Sequence, residues 1–145
     1  MRPSVEDPQA LDVYDAEEAV FMQGRSFIRR FPTMYDVERY IGHVVRSDWW
    51  ASLESPEFVD IEYITAAGFA AEATREGEHG RILLPRWAWN RPIILHELTH
   101  LVTWRGQAHG PRFAYRRLEA EELFGSIRDA RRLQQTFDEY GVRYS

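Results

Sequence analysis

A glutamate and two histidines lie in the order His96-Glu97-Leu98-Thr99-His100, a spacing that can hold a divalent metal ion. An α-helix turns by about 100° per residue, so the two imidazole rings project within about 40° of each other. Glu97 projects on the same side, about 60° from His100. Imidazole nitrogen is a preferred ligand of Zn²⁺, and a neighbouring carboxylate can take a proton from water on the ion. The segment therefore predicts Zn²⁺-dependent hydrolysis with Glu97 as the general base.

A three-nitrogen site requires a further ligand beyond this pair. His109 follows His100 by nine residues (109 − 100), after a loop that starts at Gly106 and can carry the chain back. Three protein nitrogens leave the fourth tetrahedral position for water, whose pKa then falls to about 7. A glutamate from the next helix is the alternative third ligand, as in thermolysin-like enzymes. The candidates for that role are Glu119, Glu121 and Glu122.

Recognisable signals bound the helix that carries the histidine pair. Asn90 is a suitable N-cap, Pro92 fits the first turn, and Gly106 is predicted to end the helix. Apolar residues occupy the arc opposite the histidines, so we expect that arc to pack inward while the histidines line a surface. These apolar residues are Ile94, Leu95, Leu98, Leu101 and Val102.

Composition restricts the class of protein. A chain of 145 residues is the usual size of one domain, so residues 1–145 are predicted to form a single domain. The absence of cysteine excludes disulfides, thiolate ligands and cysteine nucleophiles. A formal net charge of −5 argues against a general attraction to nucleic acid or to an anionic membrane. Without a bilayer-length apolar run or a signal-like N-terminus, the expected location is the cytoplasm.

The remaining pattern predicts an α+β fold. Alternating apolar residues predict strands over residues 58–65, 69–75 and 81–84, which we expect to form a small antiparallel three-stranded sheet packed against the histidine helix. Helical spacing predicts several further helices, two of them opened by capping-box pairs. The first is predicted to end at Gly24, and the helix starts are Asp7-Pro8, Thr33, Pro111 and Ser126.

The segment His109-Gly110-Pro111-Arg112-Phe113, after the His-Glu-x-x-His helix, resembles the SprT-like zinc metallopeptidases, whose eukaryotic member is the protease Spartan. The likeness covers about residues 58–124. The chain as a whole is also similar to a family of short, cysteine-free actinobacterial metallohydrolases. The resemblance implies a zincin-like fold in which His96, His100 and His109 hold Zn²⁺. The sequence contains neither a cysteine-based zinc ribbon nor a basic tail, so the resemblance does not imply the DNA-linked proteolysis of that family.

The expected substrate is a peptide or protein whose carbonyl is attacked by water activated by the zinc. By analogy with related folds, the strand Arg81-Ile82-Leu83-Leu84 would be a sheet edge to which an extended peptide adds. An electrophile for the oxyanion is also expected, and the candidates are Arg112, Tyr115 and Tyr144.

Two other functions fit the same residues. The site can serve a zinc amidohydrolase that acts on a small non-peptide molecule, for which a closed pocket would be expected instead of an open groove. It can also be a catalytically silent module in which zinc stabilises a binding surface, although the presence of Glu97 beside the histidines argues against a purely structural metal.

Overall fold

The structure is a computed structural model that describes residues 7–22 and 29–145. It is α+β, as predicted. Contacts divide the chain into two compact units, one formed by residues 29–102 and the other by the segments before and after them. The helices are α1 (Ala10–Phe21), α2 (Met34–Val45), α3 (Asp48–Ala51), α4 (Arg91–Val102), α5 (Pro111–Phe124) and α6 (Ile127–Tyr140), and the strands are β1 (Phe58–Ile64), β2 (Glu72–Glu76) and β3 (His79–Pro85).

None of the helices in the described part of the chain has the length and apolarity that crossing a membrane requires. Gly24, the predicted end of the first helix, lies outside the described residues. The assignment of residues 1–145 to a single domain stays a prediction.

The sheet is mixed, so the prediction of an antiparallel sheet is wrong in part. Strand order is β1-β3-β2, with β3 antiparallel to β2 and parallel to β1. A two-residue turn at Gly77 and Glu78 joins β2 to β3, and Gly77 adopts a positive φ of 59° there. Alternation along β1 is as predicted from Phe58 to Tyr63, because Val59, Ile61 and Tyr63 are more buried than Phe58, Asp60 and Glu62. Alternation reveals which face is buried but not which strands pair.

Strand β3 is the centre of the sheet, so the expectation that it forms the edge is wrong. Arg81, Ile82 and Leu83 are paired with β1 on one side and with β2 on the other. Their backbone is therefore committed to the sheet, and an incoming peptide cannot add to this strand by hydrogen bonding over these residues. The reason is the hairpin, which inserts β3 between β2 and the earlier strand β1.

Helix α4 begins where the sequence predicts and ends earlier. Asn90 caps it, since its Oδ1 accepts a hydrogen bond of 3.0 Å from the Ile93 amide. The helix ends at Val102, and Gly106 lies beyond it with a φ of 86°. At the C-terminal end the buried Arg75 of β2 donates to the Leu101 carbonyl at 2.7 Å. An arginine thus satisfies a carbonyl that the last helical turn leaves without an intrahelical donor.

Close packing fixes α4 against the sheet. Helix α4 contacts both β2 and β3. A Cβ built at Gly80 of β3 would lie 3.0 Å from a methyl carbon of Leu101 and 3.1 Å from Pro56. A glycine at this position therefore lets the strand approach the last turn of the helix.

In the same unit, α2 begins at its predicted start, with Thr33 as the N-cap. Its capping box is formed, because Thr33 Oγ1 accepts from the Asp36 amide at 3.2 Å. The phenol of Tyr63 on β1 donates to the carbonyl of Met34 at 3.3 Å. Burial, and next the charge of Glu38, raise the pKa of that phenol above its usual value. The buried residues of α2 are Val37, Tyr40, Ile41 and Val44.

The other unit is built from α1, α5 and α6, with α6 packed against both of the others. Ser126 caps α6, since its Oγ accepts from the Asp129 amide at 3.0 Å, and Gly141 ends it in the left-handed conformation. The sequence predicts α6 to start at Ser126, as the structure shows. The apolar core consists of Val13, Ala16, Val20, Phe21, Phe113, Ala114, Leu133, Phe137 and Val142.

A fully buried arginine ties α5 to α1 within this unit. Arg117 donates to Glu17 Oε2 at 3.0 Å and to Glu121 Oε1 at 3.1 Å. Burial alone would lower the pKa of the guanidinium, but the charges of Glu121 and Glu17 outweigh it and the pKa is raised. Glu121 also accepts from the Ser126 amide at 3.3 Å. The three charged groups therefore form one mutually dependent buried network.

Replacing Arg117 with methionine is expected to lower the free energy of unfolding by about 3–5 kcal/mol, because two carboxylates lose their buried partner. The matched control is Arg116→Gln, whose pair with Glu119 is partly solvated and should cost about 0–1 kcal/mol. Urea denaturation of both variants measures the difference. Equal losses would show that the buried network is not a special source of stability.

Candidate metal centre

Helix α4 is more deeply buried than its sequence pattern indicated. His96 is 4% exposed and Glu97 is 7% exposed, while His100 is partly exposed. The apolar arc is buried as predicted, but the arc that carries His96 and Glu97 is covered as well. The expectation that the histidines line a surface is therefore wrong for His96. A buried carboxylate beside buried imidazoles is costly unless the groups have a common polar partner.

The first two histidines bring their ring nitrogens together. The Nε2 atoms of His96 and His100 lie 3.2 Å apart, and the ring planes are inclined at 75°. At that separation the two nitrogens either share one N–H hydrogen or ligate the same cation. One helical turn between the residues produces this juxtaposition, as the spacing predicted.

His109 is held by contacts that the sequence did not reveal. Asp7 accepts from the His109 backbone amide through Oδ1 at 3.0 Å and contacts the ring Nδ1 through Oδ2 at 2.8 Å. The ring lies against Tyr14, with centroids 4.7 Å apart, and edge-on to Phe113 at 5.0 Å. Because Nδ1 faces a carboxylate, Nε2 is the nitrogen left to bind an ion. The imidazole is 6% exposed and fixed in orientation.

The three histidines form a group that can hold a metal ion. Each offers one ring nitrogen, and these nitrogens all lie within 4.8 Å of one another. Within residues 7–22 and 29–145, no other group of three or more histidine or acidic side chains has this geometry. His96, His100 and His109 are thus brought together as predicted.

Two of the three glutamates considered as an alternative third ligand have other partners, and the third is exposed. Glu121 binds Arg117, and Glu119 accepts from Arg116 at 2.7 Å. Glu122 is exposed on α5. Within the described residues, no glutamate of this helix belongs to the group of metal-binding geometry. Of the candidate third ligands, His109 is the one that the described structure places in this group.

The residues predicted to contact substrate are not members of the histidine group. Arg112 and Tyr115 are exposed on the first turns of α5, shortly after His109. Tyr144 donates to Asp138 Oδ1 at 2.8 Å and packs against Phe137, which gives it a role in holding the C-terminal segment. Arg81 is exposed and lies 3.8 Å from Glu62 of β1. A role for Arg112, Tyr115 or Arg81 in binding substrate stays a prediction.

Two residues that position the centre were missed. Asp7 was expected to cap α1, but the helix begins at Ala10 with Gln9 as the N-cap, and the Asp7 carboxylate binds His109. Arg75 was assigned to a strand without a further role, yet it donates to the end of α4. The sequence contains no local signal for either contact, since each partner lies more than 20 positions away.

Comparison with known proteins found no matching family model, no similar curated protein and no similar solved structure. The resemblance to SprT-like metallopeptidases therefore depends on the motif residues alone.

Replacement of His109 with alanine is expected to abolish stoichiometric binding of a divalent ion, because two imidazoles on one helix leave the coordination incomplete. The control is His79→Ala, which removes an exposed histidine from the start of β3. Elemental analysis after gel filtration measures the metal content. Full metal content in the His109 variant would exclude this residue as a ligand.

Asp7→Asn tests the carboxylate that orients His109. We expect the metal affinity to fall by about 10–100-fold, because an amide no longer holds the imidazole in one tautomer with a negative charge. Asp12→Asn, an exposed change on α1, is the matched control. Competition with a chromophoric chelator gives both affinities, and an unchanged value for Asp7→Asn would contradict the positioning role.

Proposed function

We propose that this chain is a Zn²⁺-dependent hydrolase that cleaves peptide bonds. The convergence of three imidazole nitrogens, contributed by His96, His100 and His109, is the observation that carries the proposal. A site built from nitrogens alone suits Zn²⁺ better than Mg²⁺ or Ca²⁺, which prefer oxygen ligands. The chain contains no cysteine, so a thiolate site is excluded.

The distance between the first two ligand nitrogens agrees with this donor set. A tetrahedral zinc ion with Zn–N bonds of about 2.0–2.1 Å places its ligands about 3.3 Å apart. The 3.2 Å between the Nε2 atoms of His96 and His100 fits that spacing. The contact between Asp7 and His109 supplies the carboxylate that ligating histidines commonly have on their second nitrogen. When bound, Zn²⁺ supplies a Lewis acid that acidifies water and polarises a carbonyl oxygen.

Glu97 is the proposed general base. Its carboxylate follows His96 directly on α4 and is almost completely buried, so it would act away from bulk water. In the proposed reaction Glu97 accepts a proton from the attacking water and later delivers it to the leaving nitrogen. His96, His100 and His109 hold the ion, and Asp7 keeps the ring of His109 in place.

The choice of a peptide substrate is supported by the segment His109-Gly110-Pro111-Arg112-Phe113 and its likeness to SprT-like peptidases. Since β3 is paired on both sides over Arg81 to Leu83, the substrate would have to be held by side chains or by another segment. Arg112 and Tyr115, which are exposed after His109, are the proposed contacts.

A zinc amidohydrolase acting on a small molecule is the second candidate. The burial of His96 and Glu97 favours it, because a long peptide reaches a buried base less easily than a small amide does. The two candidates use the same ion and base. They differ in which substrates the protein hydrolyses.

Glu97→Gln should lower hydrolysis by about 10²–10⁴-fold while the metal stays bound, because the amide cannot accept a proton. The matched control is Glu122→Gln, an exposed change on α5. Zinc-loaded proteins are incubated with a peptide library and with a panel of N-acyl amides, and products are identified by mass spectrometry. Undiminished hydrolysis by Glu97→Gln would refute the proposed base, whereas cleavage confined to small amides would favour the second candidate.

A further inference from the structure

A cleft of about 520 Å³ lies in the unit formed by residues 29–102. Three arginines line it: Arg39 from the middle of α2, Arg46 from the C-cap of α2, and Arg91 from the start of α4. Asp36 is the one carboxylate among its lining residues, and the Thr33 hydroxyl donates to it at 2.7 Å. Three cations against one anion make the cleft basic in a chain whose net charge is −5.

Within residues 7–22 and 29–145, the part of the chain that the structure describes, the three guanidinium groups have no carboxylate partner. Elsewhere in those residues, arginines such as Arg75, Arg116 and Arg117 are paired with glutamate. Cations gathered without a counter-charge repel one another, so an anion in the cleft would relieve that repulsion.

Aromatic rings keep two of the arginines in position. The guanidinium carbon of Arg91 lies 5.5 Å from the ring centre of Tyr40, and that of Arg39 lies 5.8 Å from the ring centre of Tyr35. Phe31 packs on Tyr40 with ring centres 5.3 Å apart and also lines the cleft. The cleft therefore combines cationic groups with an apolar wall.

A glycine makes room for the third arginine. A Cβ built at Gly42 would lie 2.7 Å from Arg46 Nη1 and 3.1 Å from Nη2. Glycine inside a helix lowers helix stability relative to alanine. At position 42 the missing side chain lets the Arg46 guanidinium fold against α2 and face the cleft.

The position of α4 adds to the positive potential. Arg91 is the first residue of this helix, whose N-terminal end carries a partial positive charge. Helix α4 also bears His96 and Glu97, five and six residues further on. The cleft is nevertheless a separate site, because none of the three histidines lines it.

We propose that this cleft binds the phosphate monoester of a small organic molecule. Arginine forks match phosphate oxygens, and a phosphate dianion offers three oxygens where a carboxylate offers two. The volume is within the range of small-molecule sites, and Phe31 with Tyr40 would contact the organic part. This proposal does not depend on hydrolase activity.

Binding is tested by titrating the full-length protein with phenyl phosphate, inorganic phosphate and benzoate while recording amide NMR shifts. We expect saturable shifts at residues 36–46 and 91–93, with phenyl phosphate bound about tenfold more tightly than benzoate. Arg46→Gln should weaken phenyl phosphate binding by about tenfold. Benzoate bound as tightly as phenyl phosphate would overturn the assignment to phosphate, and shifts confined to His96, His100 and His109 would place the anion at the metal centre instead.

Gly42→Ala provides a sharper test, because it keeps every charge and displaces only the end of Arg46. We expect weaker phenyl phosphate binding together with a melting temperature equal to or above that of the unmodified protein. The matched control, Arg128→Gln, removes an exposed arginine of α6 and should leave binding unchanged. If Gly42→Ala binds as the unmodified protein does, or if Arg128→Gln weakens binding equally, the arginines are ordinary solvated charges and the proposal fails.

Discussion

The bidentate contact between Asp7 and His109 is the constraint on which the candidate metal centre depends. Two of its histidines need no such support, because one turn of α4 sets their separation. His109 follows that helix after a loop, so its position must be fixed by other means. The carboxylate binds both the backbone amide and the ring, and two aromatic side chains confine the imidazole. A loop residue thereby gains the order of a helical one.

Helix α4 gains its position from equally specific contacts within its own unit. Asn90 satisfies an amide at one end, Arg75 satisfies a carbonyl at the other, and Gly80 allows β3 to approach closely. A ligand-bearing helix held at both ends can keep its imidazoles in place without the ion. Rigid support of this kind is what a catalytic centre requires, since small displacements of a base or ligand are costly to the rate.

Local chemistry in the sequence was sufficient for much of this fold. Asn90, Thr33 and Ser126 cap their helices as predicted, because a cap depends on residues only three positions apart. The three histidines were also recognised, since their spacing and the following glycine and proline are local features. Sheet order was not predictable, because alternation encodes the buried face and not the neighbouring strand.

Contacts between distant residues account for the remaining errors. Asp7 carries the signature of a helix cap, and nothing near it in the sequence indicates a histidine 102 positions later. The burial of His96 and Glu97 likewise depends on what covers the helix and not on its own pattern. Arg39 and Arg46 lie seven positions apart, on α2 and at its C-cap, whereas Arg91 of α4 reaches the same cleft only through the fold.

The strand order also determines how this sheet can assemble as the chain is synthesised. Strand β1 is synthesised before β3, the strand with which it pairs, and each residue of β1 precedes its partner by 21 positions (79 − 58). The turn at Gly77 and Glu78 closes locally, and hairpins of that kind form within about 1–10 μs. We therefore expect the β2–β3 hairpin to form first and β1 to pair with it afterwards.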